Sequence, residues 1–208
     1  MRDIAEIMQL APVIPVIVID DAAHARPLAE ALVAGGLPAL EVTLRTPAAL
    51  DAIRAMSEVE GAVVGAGTVT NRHELTSAVD AGARFIVSPG LTKKLTKAAE
   101  AQEVPFLPGV ATASDILRGL DMGLTHFKFF PAEAAGGLPA LKALAAPFGQ
   151  ARFCPTGGIA AESAAEWLAH PAVLCVGGSW VAPRGAPDAA AIEKVAREAA
   201  AFAREAKA

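Results

Sequence analysis

The sequence predicts an α/β fold, a (β/α)8 or TIM barrel with an extra N-terminal helix. Short β-branched runs recur along the chain, each followed by a turn and an Ala/Leu-rich amphipathic stretch, which is the pattern of βα units. Eight such units in 208 residues take about 26 residues each, close to the lower size limit of such barrels. An open doubly wound sheet is disfavoured because the first strand leads to Ile19-Asp20-Asp21 without the glycine fingerprint of dinucleotide-binding folds.

Eight strands follow from the β-branched runs, with amphipathic helices between them. The predicted strands are Val13 to Ile19, Ala39 to Leu44, Ala62 to Gly67, Arg84 to Pro89, Pro105 to Val110, His126 to Pro131, Arg152 to Gly157 and Val173 to Gly178. The predicted helices include Pro47 to Glu58, Arg72 to Ala81, Thr92 to Ala101, Ser114 to Gly123 and a last one from Asp188 onward, with 197–207 as a solvated face. Residues 1–10 are expected to form the extra helix, covering the bottom of the barrel. Since no linker interrupts the pattern, residues 1–208 are predicted to form one domain.

Composition excludes several classes of protein. With 53% hydrophobic and 19% charged residues the chain is not intrinsically disordered. A net charge of -4 gives no general attraction for nucleic acid or anionic membranes. The most apolar segment, Leu10 to Ile19, has about half the length that a membrane-spanning helix needs and contains two prolines. No export signal is visible, so we expect a cytoplasmic protein whose two cysteines are reduced.

Lys128 is the first candidate for chemistry, because it stands among aromatic residues in Phe127-Lys128-Phe129-Phe130-Pro131. Burial disfavours a charged amine, and a neutral amine can attack a carbonyl to form a Schiff base. A lysine snorkelling from an outer strand face is the alternative. Strand alternation places Lys128 and Phe130 on one face, inside the barrel, with the other two phenylalanines under the helices.

A second group follows strand 2, where Glu41, Thr43 and Arg45 alternate onto one face. A carboxylate near a Schiff-base lysine can transfer protons, and an arginine can hold a substrate carboxylate with two hydrogen bonds. A local ion pair between Glu41 and Arg45 that closes the barrel is the structural alternative. The presence of Lys128 favours the functional interpretation.

Glycine-rich turns follow three further strands. Gly65-Ala66-Gly67-Thr68 follows strand 3, where glycines would let the backbone approach a ligand and Thr68 could donate a hydrogen bond. Thr156-Gly157-Gly158 and Gly177-Gly178-Ser179 follow strands 7 and 8, where barrels of this type commonly bind phosphate. We therefore predict a phosphate site at Gly157, Gly158, Gly178 and Ser179.

The other reactive side chains suggest no site. The four histidines, His24, His73, His126 and His170, lie in four different βα units without metal-ligand spacing. Cys154 and Cys175 lie inside predicted strands, as small core residues do. Trp167 and Trp180 are expected in packing or subunit contacts. The sequence thus predicts neither a metal site nor a cofactor.

Two long segments resemble the active-site signatures of the 2-keto-3-deoxy-6-phosphogluconate (KDPG) and 4-hydroxy-2-oxoglutarate (KHG) aldolase family. They are 36–45, GLPALEVTLR, and 123–136, GLTHFKFFPAEAAG. Further segments resemble the same family, namely GAGTV at 65–69, SPG at 88–90, CPTGGI at 154–159 and GGSW at 177–180. The similarity extends over nearly the whole chain.

The resemblance implies a homotrimeric class I aldolase that cleaves KDPG reversibly to pyruvate and glyceraldehyde 3-phosphate, and that also acts on KHG. It assigns imine formation to Lys128 and proton transfer, through a bound water, to Glu41. Substrate binding is assigned to Arg45, Thr68, Pro89, Phe130, Gly157, Gly158, Gly178 and Ser179. The chain departs from some relatives at Asp20-Asp21, where they carry a basic residue, so strand 1 is not expected to bind the anion.

Two other functions remain compatible with the residues alone. A sugar-phosphate isomerase or epimerase would use Glu41 to abstract a proton and Lys128 only as an electrostatic stabiliser. A phosphometabolite-binding protein without turnover would need Gly157, Gly158 and Ser179 but no lysine within a strand.

Overall fold

The computed structural model describes residues 3–205, with the side chains of 203–205 excepted. Strands and helices alternate along this part of the chain. The strands are β1 (Val13–Ile17), β2 (Ala39–Thr43), β3 (Val63–Gly67), β4 (Phe85–Val87), β5 (Phe106–Leu107), β6 (Gly109–Val110), β7 (His126–Phe129), β8 (Arg152–Pro155) and β9 (Val176–Gly178). The α-helices are α1 (Ile4–Met8), α2 (Ala25–Ala34), α3 (Ala49–Ser57), α4 (Arg72–Asp80), α5 (Lys93–Ala101), α6 (Ala113–Asp121), α7 (Gly137–Ala145), α8 (Ala161–Leu168) and α9 (Ala189–Glu205). A 3-10 helix, Ala22–His24, precedes α2.

The strands form two curled sheets in which the paired strands are parallel. The larger sheet has the order β5-β4-β3-β2-β1-β9, and the smaller has the order β6-β7-β8. Only Pro108 separates β5 from β6. Two isolated parallel bridges, Phe153 to Val173 and Thr156 to Gly177, join β8 to the segment that contains β9. The predicted α/β class is therefore confirmed at the level of a parallel, curled sheet with helical crossovers.

The strands are shorter than the β-branched runs suggested. The run Arg84 to Pro89 contributes only Phe85–Val87, and Val173 to Gly178 contributes Val176–Gly178. The predicted strand Pro105 to Val110 is divided at Pro108, whose nitrogen has no hydrogen to donate to a neighbouring strand. The predicted helices differ from the observed ones by one or two residues at their ends.

Side-chain caps explain where several helices begin. Asn71 accepts a hydrogen bond from the Glu74 amide at the start of α4, and Thr92 accepts one from Leu95 at the start of α5. Thr112 and Asp115 form a reciprocal capping box at the start of α6. Each cap satisfies amide groups that the first helical turn leaves without a partner.

At the two chain ends the predictions extend past what the structure describes. Of the expected helix over residues 1–10, positions 1 and 2 lie outside the described residues, and α1 covers Ile4–Met8. Of the predicted solvated face over 197–207, positions 206 and 207 also lie outside them.

Apolar side chains pack into two clusters, one on each face of the strands. The larger cluster lies between strands and helices and includes Leu40, Val42, Phe127 and Phe129. The smaller one, called here the inner cluster, occupies the opposite face. It consists of Ile7, Met8, Ile14, Ala39, Phe85, Val87, Leu107, Cys154 and Cys175. Alternation along each strand assigns neighbouring residues to the two clusters, as the pleat of a β-strand requires.

Candidate active site

A buried ion pair between Lys128 and Glu41 lies at the centre of the candidate site. The Lys128 Nζ atom donates a hydrogen bond to Glu41 Oε1 over 2.9 Å, and the two side chains are 5% and 3% exposed. Removing two charges from water is unfavourable, so a buried ion pair contributes little net stability to the fold. Such a pair is therefore a candidate for function.

Strand geometry brings these two side chains together across the inner face. Lys128 lies in β7 and pairs in register with Gly109 on one side and Cys154 on the other. Glu41 lies in β2 opposite Gly65 of β3, 87 residues earlier in the chain than Lys128. Ala39, two residues before Glu41, and Cys154, the in-register neighbour of Lys128, both belong to the inner cluster, so the two charged groups border an apolar layer. The prediction that Lys128 points inward is confirmed by this contact.

The glycines of β3 make room for this arrangement. A Cβ atom at position 67 would lie 2.2 Å from Glu41 Oε1, and one at position 65 would lie 2.4 Å from the Phe85 ring. Both distances are far below van der Waals contact. The sequence suggested that these glycines let the backbone approach a ligand, whereas in the structure they accommodate Glu41 and Phe85.

An aromatic ring covers the amine of Lys128. The Nζ atom lies 5.3 Å from the centre of the Phe130 ring. The same ring would be 3.3 Å from a Cβ atom at position 157, so Gly157 lets the loop after β8 lie against it. Phe130 therefore connects the lysine with the first of the two loops expected to bind phosphate.

Arg45 forms no ion pair with Glu41, and the local pair that the sequence left open is not present. Instead, Arg45 Nε donates a hydrogen bond to Thr68 Oγ1 over 3.2 Å. Arg45 is exposed and Thr68 is half-buried, with a left-handed backbone at φ 60°. The guanidinium group keeps its terminal nitrogens at the surface, where they can donate to a substrate carboxylate.

Pro89 lies beside the lysine strand through its backbone. A Cβ atom at position 109 would lie 2.2 Å from the carbonyl oxygen of Pro89, and Gly109 is the in-register neighbour of Lys128. The exposed Pro89 ring thus follows β4 at the edge of the site. Ser88, which is buried, donates from its hydroxyl to the Gly90 carbonyl and stabilises this turn.

The two glycine-rich loops lie next to each other because Thr156 and Gly177 form a bridge. Gly157 and Gly158 adopt positive φ angles of 101° and 83°, which favour glycine. Gly178 has a different reason to be glycine, since a Cβ atom there would lie 2.2 Å from the Trp180 ring. Ser179 is exposed at the end of β9.

Two residues that the sequence analysis did not select support these loops. Thr156 is buried, and a Cβ atom at position 177 would lie 2.2 Å from its hydroxyl oxygen. Glu133 accepts a hydrogen bond from Trp167 Nε1 over 3.2 Å, and its amide donates to the Gly157 carbonyl. Strand alternation from Cys154 could have indicated Thr156. No local pattern indicates Glu133, because its contacts join segments that are far apart in the sequence.

Cys154 and Cys175, which the sequence predicts to be small core residues, are both buried. Burial raises the pKa of the Cys175 thiol well above its ordinary value, with Cys154 as a further cause, so this thiol is not disposed to act as a nucleophile. Between residues 3 and 205 there is no cluster of three or more metal-binding side chains. Within the same range, none of the helices combines the length and apolarity needed to cross a membrane.

Comparison with known proteins gives a consistent result. A model of the KDPG and KHG aldolase family matches residues 4–197. The 2-dehydro-3-deoxy-phosphogluconate aldolase of Zymomonas mobilis is 63% identical over 206 residues, which cover 99% of each chain. A crystal structure of the Zymomonas mobilis 2-keto-3-deoxy-6-phospho-gluconate aldolase has a TM-score of 0.95, with 97% of this chain and 98% of that chain covered.

A third relative was crystallised with a reaction intermediate. It is the KDPG aldolase of Legionella pneumophila, with pyruvate captured at low pH as a covalent carbinolamine intermediate. That chain is 45% identical to this one, and the TM-score is 0.84 with 97% of each chain covered. These matches confirm the family resemblance that the sequence segments indicated.

Proposed function

The chain belongs to the KDPG and KHG aldolase family, and on this premise we propose that it is a class I aldolase. Its reaction is the reversible cleavage of KDPG to pyruvate and glyceraldehyde 3-phosphate, together with cleavage of KHG to pyruvate and glyoxylate. The observation that carries the proposal is the buried contact of 2.9 Å between Lys128 Nζ and Glu41 Oε1. No other lysine among the described residues is buried.

Lys128 is the residue that forms the imine. When Lys128 transfers a proton to Glu41, its neutral Nζ atom can attack the C2 carbonyl of the substrate. Loss of one water from the resulting carbinolamine gives the imine. A base then removes the proton of the C4 hydroxyl, the C3–C4 bond breaks, and its electron pair enters the imine as an enamine. Protonation of C3 and addition of one water release pyruvate and restore the amine.

Glu41 is the general acid and base for these steps. It contacts the amine directly, and its carboxylate has space only because Gly67 lacks a side chain. A carboxyl group at hydrogen-bond distance can exchange the proton of the lysine, and through a bound water it can reach the carbinolamine hydroxyl and C3. One residue can therefore serve successive proton transfers around one imine.

Substrate binding divides between two sides of the lysine. Arg45 and Thr68, which are hydrogen-bonded to each other, hold the carboxylate at the pyruvyl end. Pro89 and Phe130 form the wall beside the imine, as the contact of the Phe130 ring with Nζ suggests. Gly157, Gly158, Gly178 and Ser179 bind the distal phosphate through their amides and the serine hydroxyl.

We also propose that the two sheets form one closed eight-stranded barrel. Since Pro108 alone separates β5 from β6, these two segments form one strand of the proposed barrel, and this strand belongs to both sheets. The bridges from Phe153 to Val173 and from Thr156 to Gly177 support closure between β8 and β9. In this arrangement α1 covers the bottom, since its residues Ile7 and Met8 belong to the inner cluster.

The assembly and location are part of the same proposal. The chain is one domain, acts in the cytoplasm and assembles as a homotrimer. The free thiols of Cys154 and Cys175 agree with a reducing compartment. The large apolar fraction and the exposed Leu117, at 52%, agree with a subunit contact. Sedimentation equilibrium would distinguish a trimer from a monomer.

The proposed activity is tested by replacing Lys128 with arginine. Because a guanidinium group stays protonated, Lys128→Arg cannot form the imine and should lower KDPG cleavage at least about 1000-fold. Pyruvate release is measured with a coupled lactate dehydrogenase assay, and Lys142→Arg on α7 is the matched control. A Lys128→Arg enzyme with substantial turnover would favour the isomerase or epimerase alternative. If the wild-type protein binds KDPG but does not cleave it, the alternative of a phosphometabolite-binding protein without turnover is favoured.

A further inference from the structure

A two-point ion pair ties together the chain segments that follow β1 and β9. Arg184 donates from Nε to Asp20 Oδ2 over 3.2 Å and from Nη2 to Asp20 Oδ1 over 2.9 Å. The two residues are 164 positions apart in the sequence. We propose that this pair, called here the Asp20–Arg184 clasp, positions the phosphate-binding loop and thereby strengthens the preference for phosphorylated substrates. This inference rests on the proposed function.

The clasp lies next to the loop that it would position. Strands β1 and β9 are parallel neighbours, and Gly178 pairs in register with Pro15. The segments that follow the two strands leave the sheet at the same edge. The segment after β1 leads to Asp20, and the segment after β9 leads through Ser179 to Arg184. Four residues lie between Ser179 and Arg184, and the amide of Ala182 donates a hydrogen bond back to the Ser179 carbonyl. A change at Arg184 is therefore transmitted through a short segment to Ser179.

The segment between Ser179 and α9 has a packed part and an exposed part, and the clasp holds the exposed part. Its first part is anchored by packing, since Val181 and Ala182 are buried and the Trp180 ring fills the space above Gly178. The next four residues, 183–186, are exposed and include Gly185 at φ 103°. Within the described residues, the side-chain hydrogen bonds of these four positions are the two from Arg184 to Asp20.

The geometry favours a positioning role over direct binding of phosphate. A guanidinium group recognises phosphate best through paired nitrogens, and two of the three nitrogens of Arg184 are already occupied by a carboxylate. The charge of Asp20 also neutralises the positive charge that would attract the anion. The neighbouring Asp21 caps the 3-10 helix Ala22–His24, since its carboxylate accepts a hydrogen bond from the Ala23 amide. The clasp thus fixes the loop without adding net charge beside it.

The expected effect is modest because both side chains are more than half exposed. Exposed ion pairs contribute little, and a loop released from one should lose about two- to fivefold in affinity for the group that it binds. The loss should concern only substrates that carry the phosphate. The test therefore compares KM for KDPG with KM for KHG, which has none.

The experiment uses Asp20→Ala, Arg184→Ala, the double variant and the exchange Asp20→Arg/Arg184→Asp in the full-length enzyme. Each single variant should raise KM for KDPG by about two- to fivefold. The double variant should match the single ones, since both break the same contact. The exchange should bring KM for KDPG back to within about twofold of the wild-type value. In all of these variants KM for KHG and kcat should stay unchanged. Arg26→Ala and Glu58→Ala, which break an exposed pair between α2 and α3, are the controls.

Three results would overturn the inference. If Arg184→Ala raises KM for KDPG while Asp20→Ala leaves it unchanged, Arg184 contacts the phosphate itself. An exchange variant as impaired as Arg184→Ala has the same meaning. Equal rises for KDPG and KHG would remove the clasp from the phosphate site. In each case continued turnover of both substrates by the same proteins shows that the proposed function stands, whereas a wild type inactive on both substrates would refute that function first.

Discussion

The two ends of the inner strand face have different chemistry although they belong to the same strands. Toward the amino ends lies the inner cluster, with Ala39 in β2 and Cys154 in β8. Two residues further along the same strands, toward the carboxyl ends, the side chains are those of Glu41 and Thr156. The lysine of β7 reaches this polar layer through its side chain: Lys128 pairs in register with Cys154, and its Nζ atom contacts Glu41.

This difference shows how one scaffold separates stability from reactivity. The apolar end gains stability from burial, whereas the polar end holds a buried ion pair that contributes little net stability. Parallel strands place all their carboxyl ends at one edge, so loops from many units meet beside the reactive pair. The comparison predicts that substitutions at the two ends affect different measured quantities.

The largest effect on stability is expected at the apolar end. Phe85→Ala removes a fully buried ring that lies against Gly65, and the cavity should lower the free energy of unfolding by about 3–5 kcal/mol. Denaturant unfolding measures this loss, and Lys94→Ala, at an exposed position of α5, should cost far less. The folded fraction should still form the imine with pyruvate. If Phe85→Ala abolishes imine formation in folded protein, the two ends are not separable.

The next effect is on turnover at the polar end. Glu41→Gln keeps the shape of the side chain but cannot accept a proton, so kcat should fall about 100-fold or more. Exchange of the pyruvate C3 hydrogens with deuterium, followed by NMR, should fall in parallel because it requires proton transfer to the enamine. Glu100→Gln on the exposed face of α5 is the control. A folded Glu41→Gln enzyme with normal kcat and exchange would assign the proton transfers to another group.

The smallest effect concerns the titration of His126, two residues before Lys128 at the apolar end. Burial lowers the pKa of His126 below its ordinary value of 6.5, and nearby Arg152 lowers it while Asp3 opposes this. As the pH falls below about 6.5, the unfolded chain takes up a proton before the folded one, so stability is lost from there down to the folded pKa. His126→Gln should reduce this acid-induced loss, and the exposed His73→Gln should not. An unchanged pH profile would contradict the assignment.

Much of the site was accessible from sequence because strand alternation and chain order are local properties. The inward direction of Lys128 follows from the pleat of β7, and its chemical importance follows from its aromatic neighbours. Alternation along strand 2 also indicated Glu41 as a candidate, and the resemblance of two long segments to one aldolase family assigned proton transfer to it. The α/β class followed from the alternation of β-branched and amphipathic runs.

The remaining features depend on contacts between distant segments. The choice between Arg45 and Lys128 as the partner of Glu41 is decided by the packing of β2 against β7 across the inner face. The need for glycine at position 67 arises from a side chain of the neighbouring strand. The clasp joins residues 164 positions apart, and no local pattern indicates it. The ends of the strands could not be predicted either, because they depend on hydrogen bonds to neighbouring strands. Pro108, which separates β5 from β6, is an example.

The most direct test of the central claim is chemical trapping of the imine. Wild-type protein is incubated with pyruvate and borohydride, digested and analysed by mass spectrometry. The peptide that contains Lys128 should carry the mass of one reduced pyruvate, with no label when pyruvate is omitted or when Lys128 is replaced by arginine. An unlabelled protein that still cleaves KDPG, or a label on another lysine, would contradict the assignment of Lys128 as the Schiff-base residue.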